Sequence, residues 1–468
     1  MSKPTISTTP ITTTSPDDVV LFSQDSGAKF ITLNREKKLN SLNTEMIELM
    51  IPKLWEYANS QGNSVIILNS KSPRALCAGG DVAACANGIL QGDAHYGADF
   101  FYKEYNLNYM ISTCPKPFVS IMDGITFGGG VGLSVHAPFR IATERTQVAM
   151  PEMDIGFFPD VGATFFLPRM DDKLGYYVAL TGAVLKGVDA YHSGFATHYV
   201  KSENIPHLTK ALSKNYSAEI DQSKFFAEIN HIIDQFSERE YPQDYKFVLT
   251  EDNLRIINQA FSQQSITDVF NYLQKEGSKF SLDTLDKLSK KPMTSLSIAL
   301  ELLNRGAKNS IKDQFELEMV AATNIVSIDA KHNDFANGVA HKLIKKIKDP
   351  FFPEWNPASF VTKEFLRGIV TKSGNVEKYL PETLVKPWFG VDFKEYPHHF
   401  GLPSNSQVES YIKGSDGSDR SYLPTPNEVV KHFTNKNKKK SGVGEKVTQI
   451  LNLHGETAKY DNKYVNWK

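Results

Sequence analysis

The chain has 468 residues, of which 41% are hydrophobic, so it can bury the core of one large domain or of two to three ordinary ones. Lys and Arg number 52 against 53 Asp and Glu, and this balance excludes a global electrostatic attraction to nucleic acid or to an anionic membrane. The three cysteines, Cys77, Cys85 and Cys114, have neither CxxC nor metal-finger spacing, and no run of about 18 apolar residues predicts a membrane-spanning helix.

Residues 1–18 are rich in Ser, Thr and Pro, and Lys3 is the single basic residue among them. The segment lacks the apolar core of a secretory signal. Its composition is typical of a solvated tail, and a targeting role is the alternative. We therefore interpret residues 1–18 as a disordered or targeting leader.

From residue 19 to about 205, segments with strand and helix patterns alternate. Short apolar runs predict strands, and apolar positions that recur every three to four residues predict helices. The predicted strands are 19–24, 29–34, 64–70, 117–124 and 139–144, and the predicted helices are 44–60, 98–113 and 131–137. This alternation predicts a mixed α/β domain.

The remainder of the sequence divides into two parts. Residues 206–365 contain long amphipathic stretches, such as 294–306 and 311–326, that predict a mainly helical region. Residues 366–468 are richer in Pro, Gly, Ser and Lys and are interpreted as an extension. Its basic segment, 435–446, predicts a solvated loop, with contact to RNA or phosphate as the alternative.

The common motifs for nucleotide phosphates, zinc and a nucleophilic serine are missing from the sequence. The segment "GLSVH" (132–136) imitates a nucleophile elbow but lacks its final glycine. We therefore interpret Ser134 as a poor nucleophile and His136 as a residue that packs or caps locally.

Two glycine-rich turns are candidates for a binding site: "LCAGGDV" (76–82) and "ITFGGGVGLS" (125–134). Glycine lets backbone N–H groups approach a ligand closely, and free N–H groups at a helix start favour negative charge. Each turn can supply one N–H to the same oxygen, which would make an oxyanion hole. Two tight turns without a ligand are the alternative.

Two acidic residues lie in the apolar stretch "MPEMDIGFFPD" (150–160), which contains Glu152 and ends at Asp160. An unpaired charge in apolar surroundings is costly, so such a carboxylate usually has a partner or a function. Desolvation raises the pKa of a carboxyl group toward the range of a useful base or nucleophile. A capping glutamate and a turn-forming aspartate are the simpler alternatives.

The order of these motifs resembles the crotonase superfamily. The resemblance covers residues 19 to about 200 and continues more loosely to about 360. It is carried by "ITLNREKKLNSL", "LCAGGD", "DGITFGGGVGLSVH", "MPEMDIGFFPDVGATFFLPR" and "VALTGAVLKGVDAYHSGFATHYV". The fold implied is an α/β crotonase core of repeated ββα turns over residues 19–205, followed by a mainly helical C-terminal region.

The resemblance also implies roles for individual residues. The thioester carbonyl of an acyl-CoA would be held by the backbone amides of Gly80 and Gly129, and Glu152 and Asp160 match the acids of thioester-hydrolysing members. Coenzyme A is then part of the substrate, and neither a metal nor a separate cofactor is expected. The residues expected to bind the substrate and its CoA portion are Lys37, Lys38, Leu39, Ala78, Gly79, Gly128 and Gly132.

One position separates the chain from the hydratases of this superfamily. Those enzymes carry a glutamate three residues after the oxyanion glycine, where this chain has Gly132. The resemblance therefore favours hydrolysis of a short, branched β-hydroxyacyl-CoA, 3-hydroxyisobutyryl-CoA of valine breakdown, over hydration or isomerisation. A later "DFxEG" pattern has Asn337 in place of its glutamate, which we interpret as a structural position.

Location and partners are likewise expectations from the resemblance. Mitochondria are the usual location of the relatives, and a homo-oligomer is expected. A crotonase-like protein of mitochondrial small ribosomal subunits supplies a second hypothesis, to which the extension and its basic segment 435–446 are relevant. Neither DNA binding nor membrane insertion is expected.

Overall fold

The computed structural model describes residues 3–6, 15, 17–348, 354–418, 420–438, 440–458 and 461–468. Most of the predicted leader 1–18 lies outside these residues, as do residues 349–353 in the weaker part of the resemblance. Within the described ranges, no helix is long and apolar enough to cross a membrane.

Strands occur mainly in the first 200 residues, with one hairpin near the C-terminus. They are β1 (Val20–Asp25), β2 (Ala28–Leu33), β3 (Val65–Ser70), β4 (Ala75–Cys77), β5 (Phe118–Met122), β6 (Ile125–Phe127), β7 (Phe139–Ala142), β8 (Gln147–Ala149), β9 (Leu185–Lys186), β10 (His198–Tyr199), β11 (Gly455–Thr457) and β12 (Val465–Trp467). The five predicted strands are confirmed as β1, β2, β3, β5 and β7. The strands of two or three residues are too short to show an alternating pattern.

Helices occur throughout and dominate after residue 200. They are α1 (Thr44–Asn59), α2 (Ala83–Leu90), α3 (His95–Ser112), α4 (Gly129–Gly132), α5 (Ala163–Phe166), α6 (Leu174–Thr181), α7 (Val188–His192), α8 (Ile205–Leu212), α9 (Gln222–Phe236), α10 (Glu251–Ala260), α11 (Ile266–Glu276), α12 (Lys279–Ser289), α13 (Met293–Gly306), α14 (Ile311–Val326), α15 (Asp334–Val339), α16 (Lys363–Ile369), α17 (Gly374–Tyr379), α18 (Asn405–Lys413), α19 (Pro426–Lys436) and α20 (Val443–His454). The helix predicted over 131–137 is wrong. Only the four-residue α4 forms there, since three of its four residues are glycine and glycine disfavours the helix.

The strands of the first half form two sheets in the described part of the chain. The larger sheet has the order β1-β2-β3-β5-β7-β10 and is parallel except for the β1–β2 pair. The smaller sheet has the order β4-β6-β8-β9, in which β4, β6 and β8 are parallel. The chain thus passes repeatedly from a strand of the larger sheet to one of the smaller sheet and then to helical structure. This confirms the α/β core of repeated ββα turns with a mainly helical C-terminal region.

The centre of the larger sheet is buried on both faces, which explains why β3 begins with four consecutive apolar residues. Ile66 and Leu68 point into the main hydrophobic core, while Val65 and Ile67 point into a second core covered by α8 and α9. Successive side chains of a strand alternate between the two faces, so a doubly covered strand needs apolar residues at every position.

The C-terminal extension is divided between two cores: residues 369–388 pack into the main core, and the part from residue 402 carries a small core of its own. α18, α19 and α20 pack with the β11–β12 hairpin. Apolar residues from each helix and from β12, including Val408, Phe433, Val447 and Val465, fill the space between them. Two of these helices begin with a capping box, formed by Ser404 at the start of α18 and by Thr425 at the start of α19.

The basic segment 435–446 is a solvated loop only in part, contrary to the sequence-based prediction: Lys436 and Lys438 are exposed, but residues 441–443 are buried and the segment enters α20. Its described residues connect α19 to α20, and the side chains of Lys440 and Lys446 are only 6% and 7% exposed. Lys440 Nζ lies 3.6 Å from the Asp234 carboxylate, and Lys446 Nζ lies 2.8 Å from that of Asp171. These ion pairs connect the extension to the rest of the chain. The acidic partners of the two lysines lie far away in the sequence, so the local charge pattern of residues 435–446 does not reveal them.

We expect Lys440→Ala to lower the free energy of unfolding by about 2 kcal/mol, because removing the cation leaves the partly buried Asp234 charge poorly compensated. Denaturant unfolding and limited proteolysis of the extension measure the effect. Lys436→Ala, at the exposed end of α19, is the matched control and should change stability by less than about 0.5 kcal/mol. Equal stability of the two variants would contradict a docking role for Lys440.

Candidate active site

Three loops converge at one edge of the smaller sheet. Gly80 follows β4, Gly129 follows β6 and Glu152 follows β8. Because these three strands are adjacent and parallel, their carboxyl ends lie at the same edge, where open α/β sheets commonly bind ligands. Residues that are far apart in the sequence thereby face one cavity.

The backbone amides of Gly80 and Gly129 lie side by side. Gly80 N is 3.3 Å from the point that a Cβ on residue 129 would occupy. Gly129 is the first residue of α4, so its N–H has no acceptor within that helix. Among the described residues, neither amide donates a backbone hydrogen bond. Two adjacent free donors suit an oxygen that gains negative charge during a reaction.

Two carboxylates approach the backbone closely at Gly128 and Gly129. A Cβ on Gly128 would lie 2.6 Å from Glu152 Oε1, and one on Gly129 would lie 2.7 Å from Glu104 Oε1. Gly128 also has a φ of 48° and a ψ of −115°, which side-chain-bearing residues disfavour. The glycine cluster therefore brings both carboxylates against the backbone.

Three buried carboxylates line a cavity of about 220 Å³ beside these amides. Glu104, Glu152 and Asp160 are 2%, 7% and 5% exposed. Asp160 Oδ2 accepts a hydrogen bond from the Tyr105 hydroxyl at 2.8 Å. Within the described chain, Glu104 Oε1 and Glu152 Oε2 are buried without a hydrogen-bond partner. Orphaned carboxylate oxygens of this kind point to groups that meet a ligand or water.

Burial shifts the titration of all three groups in the same direction. Loss of hydration, reinforced by the nearby Asp160 charge, raises the pKa of Glu152 and that of Glu104 well above the usual range of glutamate. Burial also raises the pKa of Asp160 to about 7, although the hydrogen bond from Tyr105 opposes this shift. Carboxyl groups that titrate near or above neutral pH can act as bases or acids under physiological conditions.

An aromatic wall closes the apolar side of the cavity. The rings of Phe101 and Phe157 stack with centroids 4.9 Å apart, and the ring centroid of Phe335 lies 4.7 Å from that of Phe157. Lys342 and Leu343 also line the cavity, and Leu343 is 48% exposed. The cavity thus offers an apolar surface beside acidic groups and a cation near the solvent.

The structure brings most of the predicted site residues together. Ala78, Gly79, Gly80, Gly129, Glu152 and Asp160 line the cavity, and Gly128 contacts Glu152. Leu39 lies next to a cavity residue, because its carbonyl accepts a hydrogen bond from the backbone N–H of Ala78 at 3.0 Å. Lys37 and Lys38 are exposed and do not line the cavity.

Gly132, like Lys37 and Lys38, is a predicted binding residue that does not line the cavity. A Cβ at this position would lie 2.5 Å from the Val161 Cβ and 3.0 Å from Asn108 Nδ2. The space beside Gly132 is therefore already occupied. Gly132 allows the backbone to pack closely against Val161, and a glutamate side chain at this position would collide with Val161.

Sequence reasoning missed Glu104, Phe335, Lys342 and Leu343. A signal for Glu104 was present, because it lies in α3 among aromatic residues that predict a buried helix face, where an acid is unusual. Phe335 belongs to the segment in which Asn337 replaces a family glutamate. Asn337 itself lies outside the cavity lining, and its side chain faces the Ala330 carbonyl. Nothing local to the sequence marks Lys342 or Leu343 as cavity residues.

Other polar candidates serve the packing of the core. Ser134 Oγ donates to the Gly130 carbonyl at 2.8 Å and accepts from Ser120. The His136 ring contacts the Val161 carbonyl at 2.8 Å and the Tyr396 hydroxyl at 2.7 Å. Across the described residues, no group of three or more His, Cys, Asp or Glu side chains is arranged to hold a metal ion.

Comparison with known proteins gives one consistent family match. A model described as enoyl-CoA hydratase/isomerase matches residues 28–366. The 3-hydroxyisobutyryl-CoA hydrolase, mitochondrial, of Gallus gallus is 39% identical over 76% of this chain and 89% of its own length. Its Homo sapiens counterpart is 37% identical over 74% and 87%, respectively.

Two further comparisons extend this picture. The small ribosomal subunit protein mS47 of Neurospora crassa is 36% identical over 98% of this chain and 89% of its own length. The crystal structure of a carnitinyl-CoA dehydratase from Mycobacterium thermoresistibile is similar with a TM-score of 0.66 and 31% identity, covering 76% of this chain and 97% of that one.

The raised pKa of Glu152 predicts how Glu152→Gln changes stability with pH. A carboxyl group whose pKa is higher in the folded than in the unfolded protein stabilises the fold fully below its unfolded value, near 4.5, and loses that contribution as the pH rises through the folded value. Glutamine does not titrate. Wild type therefore loses stability relative to the variant between about pH 5 and about pH 8. The difference in free energy of unfolding, variant minus wild type, should increase by roughly 1.4 kcal/mol for each pH unit that lies between the unfolded and the folded pKa of Glu152.

The exposed Glu219 supplies the matched control, because Glu219→Gln should leave the difference from wild type nearly independent of pH. Calorimetry of the three proteins at both pH values makes the measurement. A Glu152→Gln difference that shrinks or stays constant with rising pH would show that the Glu152 carboxylate is not destabilised by burial.

Proposed function

This chain belongs to the enoyl-CoA hydratase/isomerase family of the crotonase superfamily, and we propose that it hydrolyses the thioester of a short β-hydroxyacyl-CoA, with 3-hydroxyisobutyryl-CoA as its substrate. The observation that carries the proposal is the pair of free amides at Gly80 and Gly129 facing buried acids in a small cavity. The products are the free acid and CoA, a step of valine breakdown. The similarity to the hydrolases of Gallus gallus and Homo sapiens supports this substrate.

The two amides supply the electrostatic part of the proposed mechanism. The thioester oxygen sits between Gly80 N–H and Gly129 N–H and gains negative charge as its carbonyl carbon becomes tetrahedral. Preformed donors in a site with little water stabilise this charge without reorganisation. Loss of one such donor typically raises the barrier by about 3 kcal/mol.

Glu152 acts as the nucleophile or as the general base in the proposed reaction. Its orphaned carboxylate either attacks the carbonyl carbon to form a mixed anhydride or takes a proton from the attacking water. Asp160, which is oriented by Tyr105, holds the water or the substrate hydroxyl. Glu104 faces the same cavity and offers an acceptor to the substrate hydroxyl. The CoA thiolate leaves and is protonated, so no redox partner is needed.

The packing at residue 132 argues for hydrolysis over hydration. Hydration of a C=C bond in this superfamily uses a second glutamate at this position. Here Gly132 has no side chain, and Val161 fills the adjacent space. The catalytic apparatus for delivering a proton to an alkene carbon is therefore incomplete, whereas thioester hydrolysis needs no group there.

A mitochondrial location accompanies the proposed activity. The hydrolases of Gallus gallus and Homo sapiens are named as mitochondrial. Valine breakdown requires no resident metal or redox cofactor at this step, and the proposed chemistry uses only side chains, backbone amides and water.

The first test mixes the purified protein with 3-hydroxyisobutyryl-CoA and follows free thiol with a thiol reagent. Wild type should release CoA, and Glu152→Gln should lower kcat by roughly 10²–10⁴-fold, the usual contribution of a base or nucleophile. Glu219→Gln should behave as wild type. Hydration of crotonyl-CoA, followed in parallel, should be undetectable. Hydration without thiol release would overturn the proposal and the inference from Gly132.

Single-turnover hydrolysis in water enriched in ¹⁸O separates the two roles of Glu152. Label in its carboxylate requires the anhydride, because water then opens the bond to the protein. An unlabelled Glu152, with the label in the released acid, excludes attack of water on the Glu152 carbon of an anhydride and leaves attack of water at the acyl carbon, the outcome that activation of water predicts.

The second candidate function is association with the mitochondrial small ribosomal subunit. The similarity to mS47 of Neurospora crassa spans 98% of this chain and so includes the extension, whereas the hydrolases cover about three quarters of it. Residues 404–468 of the extension have eleven Lys and Arg against seven Asp and Glu, although the whole chain is nearly neutral. Lys440 and Lys446 are occupied in buried ion pairs, whereas Lys431, Lys436 and Lys438 are exposed to solvent.

Co-sedimentation tests this second function. In a gradient of mitochondrial lysate, the protein should migrate with the small subunit, and replacing Lys431, Lys436 and Lys438 by Gln should weaken that association, with the largest difference from wild type at low salt, where exposed charges are least screened. Migration only as free protein would contradict it. Because the substituted residues do not line the cavity, the hydrolase assay should be unaffected by them.

A further inference from the structure

We infer that Glu318, on α14 of the helical region, is a positioning residue that fixes the turn carrying Asp160. The inference rests on the proposed function, because it assigns Asp160 a part in hydrolysis. Glu318 does not line the cavity, so it acts through the turn and not on the substrate. We call residues 160–164 the Asp160 turn.

The Asp160 turn has a backbone that needs external support. Val161 has a φ of 56° and Gly162 a φ of 78°, both in the left-handed region. This region is unfavourable for a β-branched residue such as valine, and such conformations persist only where surrounding contacts hold them. Ala163 N donates a hydrogen bond to the Asp160 carbonyl at 2.8 Å. The conformation of the turn therefore determines the position of the Asp160 backbone, from which the carboxylate side chain extends.

Glu318 provides most of that support through both of its oxygens. Oε2 accepts from Gly162 N at 2.6 Å, and Oε1 accepts from Thr164 N at 3.1 Å and from the Thr164 hydroxyl. The side chain is fully buried. Gln314, one turn earlier on α14, donates to the same hydroxyl at 2.6 Å. Helix α14 thereby provides acceptors for the backbone N–H groups of Gly162 and Thr164, the residues on either side of Ala163.

Other residues of the described chain add contacts to the turn but do not accept from its Gly162 and Thr164 amides. Phe315 of α14 packs so closely that a Cβ on Gly162 would lie 2.4 Å from its ring. His136 contacts the Val161 carbonyl from the other side, and Tyr105 donates to the Asp160 carboxylate. Glu318 is distinguished among these residues because it alone accepts from two separate amides of the turn.

Glu318→Gln tests the inference with little change in shape. An amide has one acceptor oxygen where the carboxyl group has two, so Gly162 N or Thr164 N must lose its acceptor. We expect kcat for 3-hydroxyisobutyryl-CoA to fall about tenfold while KM stays within about twofold, because the substrate still binds but Asp160 is misplaced. Deuterium exchange in peptides that cover residues 157–167 should become faster.

Glu316→Gln is the matched control on the same helix. Glu316 pairs with Lys312 and does not contact the turn, so kcat and local exchange should match wild type. If Glu318→Gln folds poorly, Thr164→Val removes the hydroxyl and its hydrogen bonds to Glu318 and Gln314 but keeps both backbone contacts of Glu318, and it should change kcat and exchange in the same direction by less.

Two outcomes would overturn the inference: a wild-type kcat in Glu318→Gln, or unchanged exchange across residues 157–167. A loss confined to the melting temperature, with kcat intact, would assign Glu318 a purely structural role. If wild type itself releases no thiol, the proposed function fails, and the exchange experiment alone decides whether Glu318 fixes the turn.

Discussion

The site depends on the burial of three carboxylates against a glycine backbone that leaves them almost no room. Glu104 and Glu152 approach so closely that any Cβ at Gly128 or Gly129 would clash with them. Burial raises the pKa of both glutamates, and neither has its full set of hydrogen bonds within the described chain. Such an arrangement is unfavourable for folding, which is expected where a protein places reactive groups.

Parallel strand pairing brings the distant groups together. β4, β6 and β8 end at a common edge, so Gly80, Gly129 and Glu152 meet although they lie far apart in the sequence. Asp160 lies beyond the last of these strands, on a turn with left-handed backbone. The helical region contributes to the same site because Glu318 on α14 accepts hydrogen bonds from that turn.

The packing beside the oxyanion glycines also bears on which reaction the cavity supports. Val161 fills the space next to Gly132, where hydratases of the superfamily carry a second glutamate. The same residue belongs to the turn that presents Asp160, so under the proposed function one residue both fills the space beside Gly132 and helps to place Asp160. The part of the extension from residue 402 has its own core and does not line the cavity, so hydrolysis and association with a ribosomal subunit are compatible in one chain.

The sequence by itself determined the long elements, such as β3 and α14, because hydrophobic periodicity is a local property. It also determined the glycine turns and the acids Glu152 and Asp160, since glycines and charges within apolar runs are visible locally. Only the tertiary structure decided that Glu104 faces the cavity, that Glu318 holds the Asp160 turn and that the Lys440 side chain is buried. Those facts depend on partners distant in the sequence, and no local pattern encodes which buried face of one element meets another.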